Sequence, residues 1–356
     1  MSGNSTATGR VSNAVRLDAV GGPNTTAGVI AIGNLDARIE GLAGQAARGS
    51  LTTDGWVEWV ELTALRGHVL GRIDEAERAA SLAEAFVDQA PREPPSLMTR
   101  ARTAALFHRF PAALADLDAA AALGLDHRSL EEERAAVYQA VGRYDEALAL
   151  HRQALSRRAD LNTLGALARC HAERGETVEA EKCFLAARRD YRRTSPFPLA
   201  MLEFQCGHMW LAHGDLVGAR AWLESAGRRL PSYVPVQGHL AHVDAAEGTA
   251  TLAIDRLRRV AHASDDPDYA NWLAHALEQS GATAEARFWN ARAALRYDEL
   301  IARHPEAYAD HAAEFWLSVG DPDRALRLAL QNLALRPTPR ARALVDRARG
   351  RVGELR

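Results

Sequence analysis

The pentapeptide GHLAH, residues 238–242, sets His239 and His242 three residues apart. On a helix that spacing puts both imidazoles on one face, about one turn apart. The stretch DHAAE, residues 310–314, does the same with His311 and Glu314, and His208 and His275 stand in FQCGHMW and NWLAHAL. Imidazole is the commonest metal-binding side chain, and in its neutral form it is an aromatic ring that both donates and accepts hydrogen bonds. Two chemistries follow from these residue types: ligation of an ion, or a polar wall against which a partner is held. Which one applies depends on the elements that position the rings.

Composition narrows the field. A chain of 356 residues, 47% of them hydrophobic, can bury a large core. A net charge of −3 gives no overall pull toward nucleic acid or an anionic membrane, so neither is expected as a partner. No apolar run approaches the ~18 residues of a membrane span. The opening MSGNSTATGRVSNAVR lacks the charged-then-apolar order of a signal peptide. Cys170, Cys183 and Cys206 form no CxxC pair and read as reduced thiols of a cytoplasmic protein. Lys182 is the only lysine among 43 basic residues, a bias that fits the codon usage of a high-GC bacterium.

A phrase recurs along the chain: GRIDEAERA (71–79), GRYDEALAL (142–150), GETVEAEKC (175–183), GDLVGARAW (214–222), GTATLAIDR (248–256), GATAEARFW (281–289) and GDPDRALRL (320–328), with the variant HRFPAALAD at 108–116. From one anchoring glycine (or His108) to the next, the intervals are 37, 34, 33, 39, 34, 33 and 39 residues. Five residues after each anchor stands an alanine, eight times in eight, from Ala76 to Ala325. Seven before it stands alanine or, once, Gly207. Small residues at fixed phase mark places where two helices approach closely, and the glycine ends the first of them where positive φ is cheap. Repeats of this period stack into a solenoid.

The pattern resembles the tetratricopeptide repeat (TPR), with its paired small residues, its alanine and a closing proline that Pro231 and Pro337 supply here. The resemblance covers residues 51–337 and implies an all-α, right-handed superhelical solenoid of about eight helix-turn-helix repeats. The two 39-residue intervals carry insertions: RRTSPFPL (192–199) reads as a loop and RYDELIARH (296–304) as a lengthened helix. Residues 29–50 read as an N-terminal capping helix, residues 338–356 as a C-terminal capping helix and tail, and residues 1–28, rich in Gly, Ser, Thr and Asn, as disordered.

In this family the first helix of each repeat lines the concave wall, where partners bind. Its groove positions in the last four repeats hold five of the chain's 13 histidines, His208, His239, His242, His275 and His311, where composition alone would place about one. A recognition module would use them as mild hydrogen-bonding surface for a peptide or partner protein. Phe204, Gln205, Asp268, Asn271, Trp272 and Asp310 would complete the wall, with Arg102 and Arg169 holding an acidic group at its other end. A metal site would instead join His208, His239 and His242 in one cluster and His275, His311 and Glu314 in another. The second set suits iron (Fe) with open positions, and copper (Cu) or zinc (Zn) on ligand type, for an oxidase or oxygenase acting on a bound peptide or small molecule. The resemblance favours the recognition module. The lysine, arginine and asparagine set with which some relatives clamp a peptide C-terminus is not reproduced in adjacent repeats. EEER (131–134) reads as a solvated helix face, the arginines from Arg336 to Arg356 as a soluble cap, and Cys206 as core. Nothing resembles a P-loop, a dinucleotide fingerprint or a nucleophile elbow.

Overall fold

A computed structural model describes residues 22–354. Eighteen helices and no strands occur among the described residues. A first helix, α1 (Gly28–Ala47), precedes eight antiparallel pairs: α2 (Thr53–Leu70) with α3 (Ile73–Gln89), α4 (Pro94–Leu106) with α5 (Phe110–Ala122), α6 (His127–Ala140) with α7 (Tyr144–Arg157), α8 (Leu161–Glu173) with α9 (Thr177–Arg189), α10 (Phe197–Ala212) with α11 (Leu216–Arg229), α12 (Val234–Ala246) with α13 (Ala250–Ala263), α14 (Pro267–Gln279) with α15 (Thr283–Arg303), and α16 (Pro305–Ser318) with α17 (Pro322–Leu335). A last helix, α18 (Pro339–Glu354), closes the stack.

The repeat phase has a local cause. All of the recurring alanines except Ala64 and Ala76 are buried, several with no accessible surface, because the second helix of each pair meets the first at that point. At position 207 even a methyl group is too much: a Cβ there would lie 2.8 Å from Leu223 Cγ. The anchors turn the chain in the left-handed region. His108, where the other repeats have glycine, adopts φ 55°, a conformation that costs a side-chain-bearing residue about 1 kcal/mol or more. Its ring stacks on Phe110 at 5.3 Å and hydrogen-bonds through Nδ1 to the Glu306 carbonyl at 3.1 Å.

That last contact belongs to a set the repeat phase does not reveal. Ser264 Oγ donates to the Gly71 carbonyl, His108 reaches Glu306, and Arg336 Nε donates to the Ala140 carbonyl at 3.1 Å. The sequence separations are 193, 198 and 196 residues, so one near-constant offset brings each early repeat against a late one. The solenoid therefore closes on itself, its early repeats in contact with its late ones.

Both insertions serve this closure. The second lengthens α15 to 21 residues, as expected. Arg296 on it bonds Asp74 (2.7 Å) and Asp265 (2.9 Å), and Arg303 bonds Glu77 (2.8 Å). The first insertion is a loop only to Pro196, since Phe197–Leu199 already form the first turn of α10 with Pro198 at its start. Proline is tolerated there because that N–H has no helical partner. The Thr194 carbonyl accepts from Thr26 N at 2.8 Å. Of the segment 1–28 expected to be disordered, residues 1–21 lie outside the described residues; the stretch from Gly22 to Ala27 is irregular but bonded. Helix α1 does more than cap the first repeat. Its buried face, Ala31, Leu35, Ile39 and Leu42, joins Trp59 and Val69 to Phe197, Leu230 and Tyr233 of the fifth repeat and its exit turn. No helix of the described residues is long and apolar enough to cross a membrane.

Candidate functional site

Helices α10, α12, α14 and α16 stand side by side along the concave wall. Each presents the residue six positions before its glycine, and α12, α14 and α16 also the residue nine before, so the histidines line one cavity of about 710 Å³. His208, His239, His242, His275, His311 and Glu314 all face it, with Phe204, Asp268, Asn271 and Trp272. The other residues expected on this wall go elsewhere. Arg169 and Gln205 line a separate cavity of about 580 Å³ between α1 and the fourth and fifth repeats. Arg102 bonds Glu133 at 2.6 Å and also Glu61. Asp310 is buried, its carboxylate 3.6 Å from Arg336 Nη1.

One end of the cavity is aromatic and uncharged. The His242 ring lies 4.1 Å from Trp272, His239 lies 5.5 Å from Trp272 and 5.0 Å from Phe204, and His208 lies 5.1 Å from His239. His239 Nδ1–H donates to the Pro235 carbonyl at 2.8 Å, which leaves Nε2 as the acceptor nitrogen. Burial lowers all three pKa values, His239 to about 3. These imidazoles are neutral at physiological pH.

The other end is charged. Asp268 sits in the first turn of α14 and accepts from Tyr297 Oη and from His311 Nδ1, the latter at 2.7 Å. The Asp268 charge raises His311 to about 10 against the cost of burial. His311 lines the cavity, and 41% of its side chain is accessible there. Burial pushes the Asp268 carboxyl up, but the His311 charge and the two hydrogen bonds outweigh it and hold it at about 2. Gln279 Nε2 donates to His275 Nε2 at 2.9 Å, and Glu314 pairs with Arg347. Arg340 completes the wall and makes no hydrogen bond or ion pair with the described residues.

Among the described residues, no three His, Cys, Asp or Glu side chains converge on a point that would hold an ion. In the first expected cluster His208 meets His239 edge to face and His239 lies tilted to His242, and each member of the second has its own partner. As placed, the side chains do not form a seat for iron, copper or zinc. Cys170 and Cys206 are buried and Cys183 partly so; burial raises the Cys206 thiol well above its usual range.

Arg340 and Tyr297 are the contributors that the sequence reading passed over. Continuing from Gly320 by 33 residues, an interval found twice in the repeats, would put Arg340 and Arg347 at groove positions of a ninth first helix. Tyr297 carries no such signal, because it reaches Asp268 from the inserted part of α15.

The neutral histidines make a prediction about pH. His239 binds a proton only near pH 3 in the folded chain but near 6.5 when unfolded. Between these values the unfolded state takes up protons first, so stability falls as pH drops from 6.5 toward 3. Going from pH 7 to pH 5 should cost the wild type ~2 kcal/mol more than His239→Gln. Thermal denaturation at the two pH values reads this, and equal slopes for both chains would rule it out.

A family model described as tetratricopeptide repeat matches residues 138–197. Among solved structures, the human IFIT1 dimer with m7Gppp-AAAA is 17% identical and superposes with a TM-score of 0.56 over 85% of this chain and 72% of that one. The human IFIT1 dimer with PPP-AAAA gives 16%, 0.54, 80% and 73%. The APC/C hetero-tetramer Cut9-Hcn1 gives 14%, 0.50, 82% and 55%, so the chain spans little more than half of that relative. Identities this low show likeness of fold alone. No curated protein matches the sequence.

Proposed function

The chain is a tetratricopeptide-repeat protein, a helical solenoid of the kind that scaffolds protein–protein interaction, and from that premise we propose that it binds a peptide segment of a partner in the histidine-lined cavity. The observation that carries this reading is the lining itself: four consecutive first helices supply five histidines, Trp272 and Phe204 to one cavity of about 710 Å³. Neutral imidazoles and an indole offer large, rigid contact area with hydrogen-bonding edges. His208 and His242 make no ring hydrogen bond with the described residues, so their nitrogens are available to a peptide backbone. Arg340 is available to an acidic side chain.

The IFIT1 structures hold PPP-AAAA and m7Gppp-AAAA. A ligand of that charge would meet neutral rings and the mutually matched His311–Asp268 pair here, with Arg340 the cation on this wall that has no partner among the described residues. A peptide with an aromatic or apolar anchor and one acidic group matches the wall better.

Selection of a displayed random-peptide library on the immobilised chain tests the proposal. Enriched peptides should bind Trp272→Ala and His242→Ala about 30-fold or more weakly, the ~2 kcal/mol of a buried anchor contact. Peptides that bind both variants as tightly as wild type would place recognition elsewhere.

A further inference from the structure

The second cavity, between α1 and the fourth and fifth repeats, has a different chemistry. Its walls are apolar, with Leu35 from α1, Leu62 and Leu65 from α2, and Met201 and Leu202 from α10. Its polar groups are the Arg169 guanidinium, the amides of Gln205, Asn162 and Asn34, the hydroxyls of Thr26, Thr194 and Ser195, and Arg38 and Glu58, which pair with each other. A volume of about 580 Å³ with that lining is typical of a small-molecule site.

Arg169 is the anomaly. Four other buried or half-buried arginines have carboxylate partners: Arg66 has Asp36 and Glu75, Arg102 has Glu61 and Glu133, and Arg188 and Arg229 share Glu203. Arg169 has no carboxylate in ion-pair range among the described residues. Its hydrogen bond goes to the neutral Gln205 Oε1, at 3.4 Å. Glu173, one turn on, instead accepts from Gln139 at 3.0 Å. Burial accordingly works against the Arg169 charge, and buried charges are normally paired. One turn before it stands Gly165, where a Cβ would come 3.0 Å from Leu202 Cδ1. The missing side chain keeps the space above the guanidinium open.

We propose that this cavity binds a small amphipathic carboxylate, with the acid group on Arg169 and the Gln205 and Asn162 amides and the hydrocarbon part against α1 and α2. A guanidinium meets a carboxylate through two parallel hydrogen bonds. With Arg38 matched by Glu58, one cation is left without a carboxylate among the described residues, and that and a mostly apolar wall suit a monoanion with a chain of about six to ten carbons better than a phosphate. No residue of this cavity lines the histidine cavity, so its test and that of the peptide reading stand or fall separately.

Titration calorimetry of the full chain with octanoate, octanamide and inorganic phosphate is the experiment. Octanoate should bind, and octanamide and phosphate should bind at least tenfold more weakly. Arg169→Gln should lose at least tenfold for octanoate and, without ligand, should melt no lower than wild type, since it removes an unpaired charge. Octanoate binding equally to Arg169→Gln, or no tighter than octanamide or phosphate, overturns the proposal, as does absence of octanoate binding. Leu62→Trp keeps Arg169 and fills the cavity, so it covers the case in which Arg169→Gln fails to fold. Octanoate binding that survives Leu62→Trp rejects the site.

Discussion

Glu203→Ala is expected to destabilise the chain by ~3–5 kcal/mol, the cost of removing one partner from a buried ion pair. Glu203, on α10, has no accessible surface, and its two oxygens receive Arg188 Nε at 3.0 Å and Arg229 Nε and Nη2 at 3.2 Å each. Both arginines are nearly as buried as the carboxylate. Alanine would leave two guanidinium ions facing each other without a counterion. Arg229 also donates to the Pro23 carbonyl at 2.9 Å and to Thr25 Oγ1 at 3.2 Å. The damage should therefore spread to the stretch before α1. Urea denaturation followed by tryptophan fluorescence measures the first effect, and limited proteolysis near residues 22–27 the second. A triple variant, Arg188→Met/Glu203→Leu/Arg229→Met, separates charge from packing. It should recover most of the stability, because apolar groups of similar size replace buried ion pairs at little cost. Protection of residues 22–27 should not return, because the Arg229 donors are gone. A Glu203→Ala chain within about 1 kcal/mol of wild type would mean that water reaches the two arginines and the pair is not a buried one.

Much of this architecture is legible in the sequence because it is set locally. Close approach within a helix pair demands Ala147, Ala180 or Ala219 whatever lies beyond the pair. The turn demands glycine, or a His108 that gains a stacking partner. The same phase identifies the inward face, which is why His208, His239, His242, His275 and His311 come to one cavity. The closure of the solenoid leaves no periodic trace. His68 Nε2 meets Tyr233 Oη at 2.7 Å, and Asp265 accepts from Ile73 N at 2.6 Å. Each pair combines residues that look like ordinary surface in their own repeats. Neighbouring elements also decide which groove residues remain available. Arg102 and Asp310 occupy groove positions, as Arg340 does, but Glu61 and Glu133 of the adjoining repeats neutralise the first and Arg336, at the end of the same repeat, the second, whereas Arg340 has no such partner among the described residues. Phase alone reports which way a side chain points, and the other repeats determine what it finds there.

Asp268→Asn should move His311 by several pH units. In the wild-type chain the Asp268 carboxylate is the main cause of a His311 pKa of about 10, with Asp310 adding to it and burial opposing it. Asparagine removes the charge but keeps the shape. Its Oδ1 still accepts from Tyr297, and its amide can donate to a neutral imidazole. With its main counterion gone, burial dominates and the ring becomes neutral at pH 7. Histidine-selective NMR would show His311 as imidazolium from pH 5 to pH 8 in wild type and as neutral imidazole at pH 7 in the variant. A His311 that titrates near 6.5 in both chains would dissolve the pair. The stability consequence has a definite sign. His311 is raised above its unfolded value of 6.5, so its contribution is complete below 6.5 and is lost as pH rises through 10. Asp268 is lowered from 3.8, so its contribution is complete above 3.8 and is lost as pH falls through 2. The gap in stability between wild type and Asp268→Asn should therefore narrow as pH rises from 6.5 toward 10 and widen as pH falls below 6.5, where the unfolded variant takes up the proton that its buried, neutral ring resists. The cavity follows the same logic. Because the His311 charge is matched by Asp268 and the Glu314 charge by Arg347, the net charge this wall offers a ligand is that of Arg340. Arg340→Gln should weaken binding of an acidic peptide, and Asp268→Asn should leave its affinity close to wild type, because that substitution removes a negative and a positive charge together.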